Sequence, residues 1–163
     1  MIEAFYALQP QWIRFNRFFK VYLSTDSLLG VWMGGQFFDR ASVRLQMFPL
    51  YLTVVGIPMV EATVRQVEQR RRRLERQYDE GIWDPGSALS KDRRNFLLPK
   101  DTIQAIRVSR KRSHWNGWLS RGILSVVQRD GGRFTLIVTG RQDLDGIVER
   151  LRGLGFPVEN NPG

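Results

Sequence analysis

Residues 121–154, RGILSVVQRDGGRFTLIVTGRQDLDGIVERLRGL, contain two apolar runs followed by a longer segment with a different periodicity. Asp130 and Gly131 lie between the two runs, and this dipeptide is a strong signal for a tight hairpin turn. The apolar residues of the longer segment recur every three or four positions: Leu144, Ile147, Val148, Leu151 and Leu154. The stretch therefore predicts two antiparallel strands, at 121–128 and 133–139, followed by an amphipathic helix.

The sequence also indicates where this helix begins and ends. Thr139 and Gln142 have the spacing of a capping box, and Gly153 or Gly155 is a suitable residue to end the helix. Residues 156–163 follow as a tail, and we expect its last five residues, ENNPG, to be mobile.

Further strands are predicted upstream, on either side of a long insertion. FKVYLS at 19–24 and LLGVWMGGQFF at 28–38 are separated by the turn-forming residues TDS. After the insertion, residues 39–90, come NFLLP at 95–99 and TIQAIRVSRKR at 102–112. The order is two strands, the insertion, three or four strands and a closing helix, which predicts an α+β domain built from 19–38 and 91–155.

At KVYLSTDSLLGVWMGGQ, KDRRNFLLPKDTIQAIRV and GRFTLIVTGRQDLDGIVERL the chain resembles the bacterial pleckstrin-homology-like (PH-like) domains. The resemblance implies an antiparallel β barrel or sandwich capped by a C-terminal helix, here with a helical insertion after the second strand. It further implies an adaptor that often works at membranes. Phosphoinositide-binding members carry basic residues between their first two strands, whereas this chain has the short acidic turn 24–27, so a headgroup site of that type is not expected.

The insertion contains an uncharged stretch at residues 45–60. As a helix its 16 residues would reach about 24 Å, which is short of a hydrocarbon core of about 30 Å, and Pro49, Gly56 and Pro58 interrupt it. If strands before and after the insertion pair in one sheet, the stretch must start and end on the same side of a membrane. It would then lie on the interface, enter it shallowly, or pack on protein.

Residues 1–18 carry aromatic residues near helical spacing and are predicted to form an amphipathic segment with a basic edge. The alternative is that these aromatic side chains cover the domain's own core. Together, the segment and the uncharged stretch supply the predicted membrane or partner contacts: Trp12, Phe15, Phe48, Leu50, Tyr51, Val54, Val55 and Ile57.

The charged part of the insertion, residues 61–80, has six arginines and five acids, a net charge of only +1. Glu61 and Arg65 are four positions apart, as are Glu68 and Arg72, so this helix is predicted to be mostly a solvated, self-paired face. Its apolar positions form a short heptad-like seam that could dock on a partner or on the domain itself. The predicted docking residues are Val64, Val67, Leu74 and Tyr78.

The remaining positive charge lies in the second half of the chain. The formal net charge is +9, of which residues 1–90 carry +2 and residues 91–163 carry +7. The densest cluster is RVSRKRSHWNGW at 107–118, where indole rings stand beside arginines, as at headgroup interfaces. The predicted contacts with anionic headgroups or an acidic partner are Arg14, Arg17, Arg107, Arg110, Lys111, Arg112, Trp115 and Trp118. Alternatively, one tryptophan closes the barrel end and the arginines are ordinary strand residues.

Catalytic chemistry has little support in the sequence. The chain has no cysteine, His114 is its one histidine, and no P-loop lysine and hydroxyl pair is present. We therefore expect no enzymatic activity, no cofactor and no metal. Nucleic-acid binding is expected to be unlikely, because no helix-turn-helix, zinc or RNA-recognition signature occurs.

The leading hypothesis is a non-catalytic adaptor or accessory subunit of a membrane protein complex. It would act at the cytoplasmic face of a membrane, as a peripheral or monotopic protein without a secretory signal. A free peripheral lipid-binding domain and a basic nucleic-acid-binding protein are the alternatives.

Overall fold

A computed structural model describes residues 3–11, 16–35, 40–53, 55–79, 84–111 and 120–160. Within these ranges the chain forms an α+β fold with one open, mostly antiparallel sheet of eight strands and four α-helices. The strands are β1 (Glu3–Gln9), β2 (Arg17–Leu23), β3 (Ser27–Gly34), β4 (Phe96–Pro99), β5 (Ile103–Ser109), β6 (Ser120–Gln128), β7 (Arg133–Thr139) and β8 (Val158–Asn160). The helices are α1 (Arg40–Gln46), α2 (Gly56–Asp79), α3 (Pro85–Lys91) and α4 (Leu144–Gly153), with short 3-10 helices at Phe48–Leu52 and Lys100–Thr102.

The strand order across the sheet is β4-β3-β2-β1-β7-β6-β5-β8, and only the β5–β8 pair is parallel. β1 joins the two halves: it pairs with β2 from Glu3 to Gln9 on one side, and with β7 through Ala7 and Leu8 on the other. The hairpin predicted at Asp130 and Gly131 is confirmed, with Gly131 in the left-handed region at a φ of 87°.

Apolar side chains leave the sheet on both faces. On β2, Phe19 and Val21 belong to the core that contains the buried stripe of α4. Phe18 and Tyr22 point the other way, into a core covered by α2 and α3. The sheet is therefore packed on one face by the C-terminal helix and, over β1 to β3, on the opposite face by the insertion.

The helix predicted after β7 is confirmed as α4, but its N-terminal cap differs from the prediction. Asp143 is the N-cap and accepts a hydrogen bond from the backbone of Asp145. Gln142 does not serve as a capping-box residue, because its side-chain amide bonds the backbone of Tyr6 and the carbonyl of Thr139. Gln142 thus ties the start of α4 to β1.

The structure corrects the helical interpretation of residues 1–18. Glu3–Gln9 is the strand β1, with Phe5 and Ala7 in one core and Leu8 in the other. A strand covered on both faces has apolar residues at consecutive positions, so its period-2 pattern is hidden. The helical insertion consequently follows the third strand of the sheet, not the second.

The tail at 156–163 is also more ordered than predicted. Phe156 is buried in the core that contains α4, and the backbone of Ile106 donates to the carbonyl of Pro157. These contacts align Val158–Asn160 as β8 beside β5, so the expected mobility of 159–160 was wrong, while 161–163 lie outside the described residues.

Candidate functional site

The insertion presents a group of exposed apolar side chains. In the described part of the chain, the large apolar residues with the greatest exposure are Phe48 (61 %), Leu52 (79 %), Val55 (79 %), Ile57 (50 %) and Met59 (58 %). They lie on the 3-10 helix Phe48–Leu52, in the turn that follows and at the start of α2. We call these five residues the apolar corner. Leu52 and Met59 were not predicted as contacts, although both lie in the uncharged stretch.

The apolar corner is supported from behind by a small core of its own. Val43 of α1 and Val60 and Val64 of α2 are fully buried against one another. Leu50 packs on this core, so it supports the corner instead of projecting from it as predicted. The exposed side chains are therefore held on ordered helical turns.

Gly56 makes the sharp turn between the 3-10 helix and α2 possible. A Cβ at this position would lie 1.6 Å from the carbonyl oxygen of Leu50, which only glycine avoids. The Gly56 amide donates to the carbonyl of Thr53, and the Thr53 hydroxyl donates to the carbonyl of Leu50. The uncharged stretch is thus divided among three elements, and no helix in the described ranges is long and apolar enough to cross a membrane.

The predicted docking seam of α2 contacts the domain itself. Val64 and Val67 pack in the small core behind the apolar corner, whereas Leu74 and Tyr78 pack on the outer face of β1 to β3. The sequence left open whether the seam docks on a partner or on the domain itself, and in the structure these four residues pack on the domain.

Three acidic residues of α2, Glu61, Glu75 and Asp79, bind groups outside this helix. Glu61, Glu68 and Glu75 are seven positions apart and Asp79 follows four later, so all four lie along one flank of the helix. Glu61 accepts from Arg44 of α1 at 2.7 Å, which differs from its predicted pairing with Arg65.

Asp79 binds two groups of the sheet. It accepts 2.7 Å bonds from the Lys20 ammonium and a 2.6 Å bond from the Tyr22 hydroxyl. Burial alone would raise the pKa of Asp79, but the bonds from Lys20 and Tyr22 outweigh this and hold that pKa below its usual value. Burial and the bond to Asp79 raise the pKa of Tyr22. This end of α2 is therefore fixed to β2 by a charged and partly buried network.

Glu75 makes a similar contact one turn earlier. It accepts from the Arg71 guanidinium at 2.8 Å and from the Tyr6 hydroxyl. Burial, followed by the bond to Glu75, raises the pKa of Tyr6 to about 12, and the Arg71 guanidinium also lies 4.3 Å from the Tyr6 ring centre. Arg71 thus belongs to the packed side of the helix, although it is part of the RRRR run.

The opposite side of α2 carries arginines that remain in solvent. Arg65, Arg72, Arg73 and Arg76 are exposed, and none of the four is ion-paired with another residue that the structure describes. We call these four residues the arginine face. The predicted pairings of Arg65 with Glu61 and of Arg72 with Glu68 are therefore absent among the described residues, while Glu80, the predicted partner of Arg76, lies outside them. The spacing of the acids of α2, which places them along one flank of the helix, was the signal that could have revealed this.

The basic cluster at 107–118 has a different character. Arg107 is bound to Glu159 of β8 at 3.3 Å, and Arg110 is bound to Asp145 of α4 at 2.6 Å. Lys111 is exposed at the end of the described segment. Two of the basic residues predicted to contact a partner are therefore neutralised by acids of their own domain.

Several predicted contacts lie outside the described residues. Arg17, by contrast, begins β2, where it pairs with Gln9 and is half-buried. The predicted contacts outside the described part are Trp12, Arg14, Phe15, Val54, Arg112, Trp115 and Trp118, together with the side chain of Tyr51.

An open groove of about 760 Å³ lies at one end of the sheet. Its charged residues are Asp26, Lys100, Asp101 and Arg129. Lys100 donates to the carbonyl of Leu154 and Arg129 to that of Asp101, so both cations already contact backbone oxygens. Within the described ranges, no three histidine, cysteine or carboxylate side chains are grouped as metal ligands would be.

Comparison with known proteins gives no match for the chain among family models, curated proteins or solved structures. A function for the chain therefore has to be derived from its own geometry and chemistry.

Proposed function

We propose that this chain is a PH-like domain without catalytic activity, which acts at a membrane surface as an adaptor or accessory subunit of a membrane protein complex. The observation that carries the proposal is the apolar corner. The protein would lie at the cytoplasmic face of the membrane, as a peripheral or monotopic protein.

The arrangement of the sheet supports the PH-like assignment. Seven strands form a continuous antiparallel sheet in the order β4-β3-β2-β1-β7-β6-β5. α4 packs on one face of this sheet through Leu144, Ile147 and Leu151. The family resemblance implies such a capped antiparallel sheet. The insertion between β3 and β4 is then an addition to the domain, placed where it can contact something else.

The apolar corner supports a contact with a membrane or a membrane protein. Fully burying a large apolar side chain is worth about 1.5–3 kcal/mol, and five such groups stand together in water on this corner. Exposed apolar groups clustered in this way mark interaction sites. Because ordered helical turns present them, binding would require little additional ordering of the chain.

The proposal is tested by membrane fractionation of the full-length chain. We expect the protein to remain on native membranes through low-salt and high-salt washes and to leave with mild detergent, in one native-gel band with other subunits. Replacing Leu52→Asp and Val55→Asp should release it at the first wash, because both side chains are 79 % exposed and would place charge in the contact.

The matched control adds the same charge elsewhere. Thr25→Asp with Gln104→Asp alters one exposed position in the turn between β2 and β3 and one on β5, and should leave retention unchanged. If the corner variant is retained as well as the wild type, the apolar corner is not the membrane contact and the proposal fails.

A nucleic-acid-binding role is the second candidate, and the arginine face is the observation that favours it. Exposed arginines on one side of a helix suit phosphate contacts. The apolar corner would have no role in such a complex, which is why the membrane role is the one proposed.

A further inference from the structure

We infer that the partner of this surface is an anionic lipid bilayer, on which α2 lies flat, with its arginine face on the headgroups and the apolar corner in the interface. This inference rests on the proposed function and names the partner of the same surface. It assigns the contact to α2, whereas Arg107 and Arg110 of the basic cluster are bound by acids of their own domain.

Three acids of α2 are bound by cations. Glu75 and Asp79 are bound by Arg71, Lys20 and two tyrosine hydroxyls on the domain side, and Glu61 is bound by Arg44. Arg65, Arg72, Arg73 and Arg76 are exposed, and none of these four is ion-paired with another residue that the structure describes. Because three of its acids are already bound by cations, a helix with almost no net charge by composition presents an excess of exposed positive charge, which attracts anions.

α2 carries both the arginine face and the last two residues of the apolar corner. α2 has 24 residues and is about 36 Å long at roughly 1.5 Å per residue. Ile57 and Met59 lie in its first turn, while Arg65, Arg72 and Arg76 follow at spacings of seven and four that keep them in line. The apolar end and the cationic row therefore belong to one helix, and the inference is that one surface contacts both.

The apolar corner and the arginine face together match the chemistry of an anionic bilayer surface. Stable attachment to a membrane surface normally needs two signals, such as an apolar group and a basic patch. Guanidinium groups bind phosphate well, and each basic residue close to an anionic membrane strengthens binding about fivefold. A nucleic acid would use the arginines alone.

The test is sedimentation of the full-length chain with two kinds of vesicle, phosphatidylcholine alone and phosphatidylcholine mixed with phosphatidylglycerol. We expect tight binding to the mixed vesicles and weak binding to the neutral ones. Arg65→Ala with Arg72→Ala should weaken binding to the mixed vesicles by on the order of twentyfold. High salt should reduce wild-type binding in the same direction.

The control is Arg133→Ala with Arg141→Ala, which removes the same charge from exposed positions on β7 and in the turn after it. It should change the affinity by less than about threefold, as expected for charges outside the contact. An equal loss in both variants would overturn the inference, because net charge and not the arginine face would then control binding.

Other outcomes separate this inference from the proposed function. Equal binding to both vesicle types that is lost only in the Leu52→Asp and Val55→Asp variant overturns the anionic-lipid inference and leaves the membrane role in place. Binding to neither vesicle, with retention on native membranes, overturns it in favour of a protein partner. The anionic-lipid inference is also overturned if the chain binds duplex nucleic acid through Arg65 and Arg72 and binds no vesicle. If the chain is, in addition, not retained on native membranes, the membrane role fails as well.

Discussion

Two arginine-rich regions of the molecule, α2 and the cluster around the end of β5, differ in where their acidic neighbours lie. On α2, Glu61, Glu75 and Asp79 are bound by Arg44, Arg71 and Lys20, and Arg65 and Arg72 are exposed and unpaired with described residues. At the end of β5, Arg107 and Arg110 are each bound by an acid of another element. Local charge depends on which side of an element each charge occupies, and counting charges along a segment does not reveal this.

The largest effect is expected from Gly56→Ala, which disturbs α2 at the end that carries the apolar corner without changing any charge. The added Cβ would overlap the carbonyl oxygen of Leu50, so the turn must open and the core around Val60 and Val64 must shift. We expect a loss of about 3 kcal/mol in the free energy of unfolding, measured in urea.

Gly153→Ala is the control for this substitution. A Cβ there meets nothing within 4 Å, and the residue ends α4. It should leave stability unchanged or raise it by up to about 1 kcal/mol. If Gly56→Ala is as stable as this control, the sharp turn does not hold the apolar corner in place.

A smaller effect on stability is expected when one acid that binds a cation is replaced in each of the two arginine-rich regions, in separate variants. Asp79→Asn leaves the Lys20 ammonium, whose side chain is only 13 % exposed, without its carboxylate, and should cost about 1–2 kcal/mol of unfolding free energy. Asp145→Asn breaks a pair with Arg110 in which both side chains are 64 % exposed, and should cost less than about 0.5 kcal/mol. Equal costs would show that burial does not distinguish the two contacts.

A weaker effect is expected on the pH dependence of stability, through the contact of Asp79 with Lys20 and Tyr22. Because the folded pKa of Asp79 lies below the ordinary 3.8, its contribution is present above that pH and is lost as the pH falls through the lowered value. The difference in unfolding free energy between wild type and Asp79→Asn should therefore shrink in acid. A difference that stays constant down to the lowest pH would contradict the role given to Lys20 and Tyr22.

The stabilising contribution of Tyr22 should change with pH in the opposite direction, since it is lost as the pH rises. Its pKa is raised above the ordinary 10.0, so its contribution is present below that pH and is lost as the pH rises further. The difference between wild type and Tyr22→Phe should be constant near neutrality and fall above about pH 10. A constant difference across the alkaline range would argue against the bond to Asp79.

Much of the fold could be predicted from the sequence, because local signals agreed with the tertiary structure where one face is solvated. The hairpin at Asp130 and Gly131 and the apolar stripe of α4 are examples. β1 could not be predicted, because its residues face two cores and lose their alternation. β8 was missed because a short polar strand is ordered only by β5 and by the burial of Phe156.

The candidate site was predicted less well than the fold. Of the residues predicted from the uncharged stretch to contact a membrane or partner, Phe48, Val55 and Ile57 are exposed but Leu50 is packed, and composition alone does not show which side of a turn faces the core. The partners of the charged residues were harder to predict, since those of Asp79 lie on β2, 57 and 59 positions away along the chain. Only the packing of α2 on the sheet brings Asp79 to these partners.

The smallest effect is expected at the basic cluster, and it distinguishes the two arginine-rich regions most directly. Arg107→Ala with Arg110→Ala removes the same charge as the change at Arg65 and Arg72. Because Glu159 and Asp145 already neutralise these two arginines, binding to vesicles containing phosphatidylglycerol should fall by less than about threefold. Sedimentation of both double variants at one ionic strength gives the comparison. A loss as large as that of the α2 variant would mean that the ion pairs open on the membrane and that the end of β5 also binds lipid.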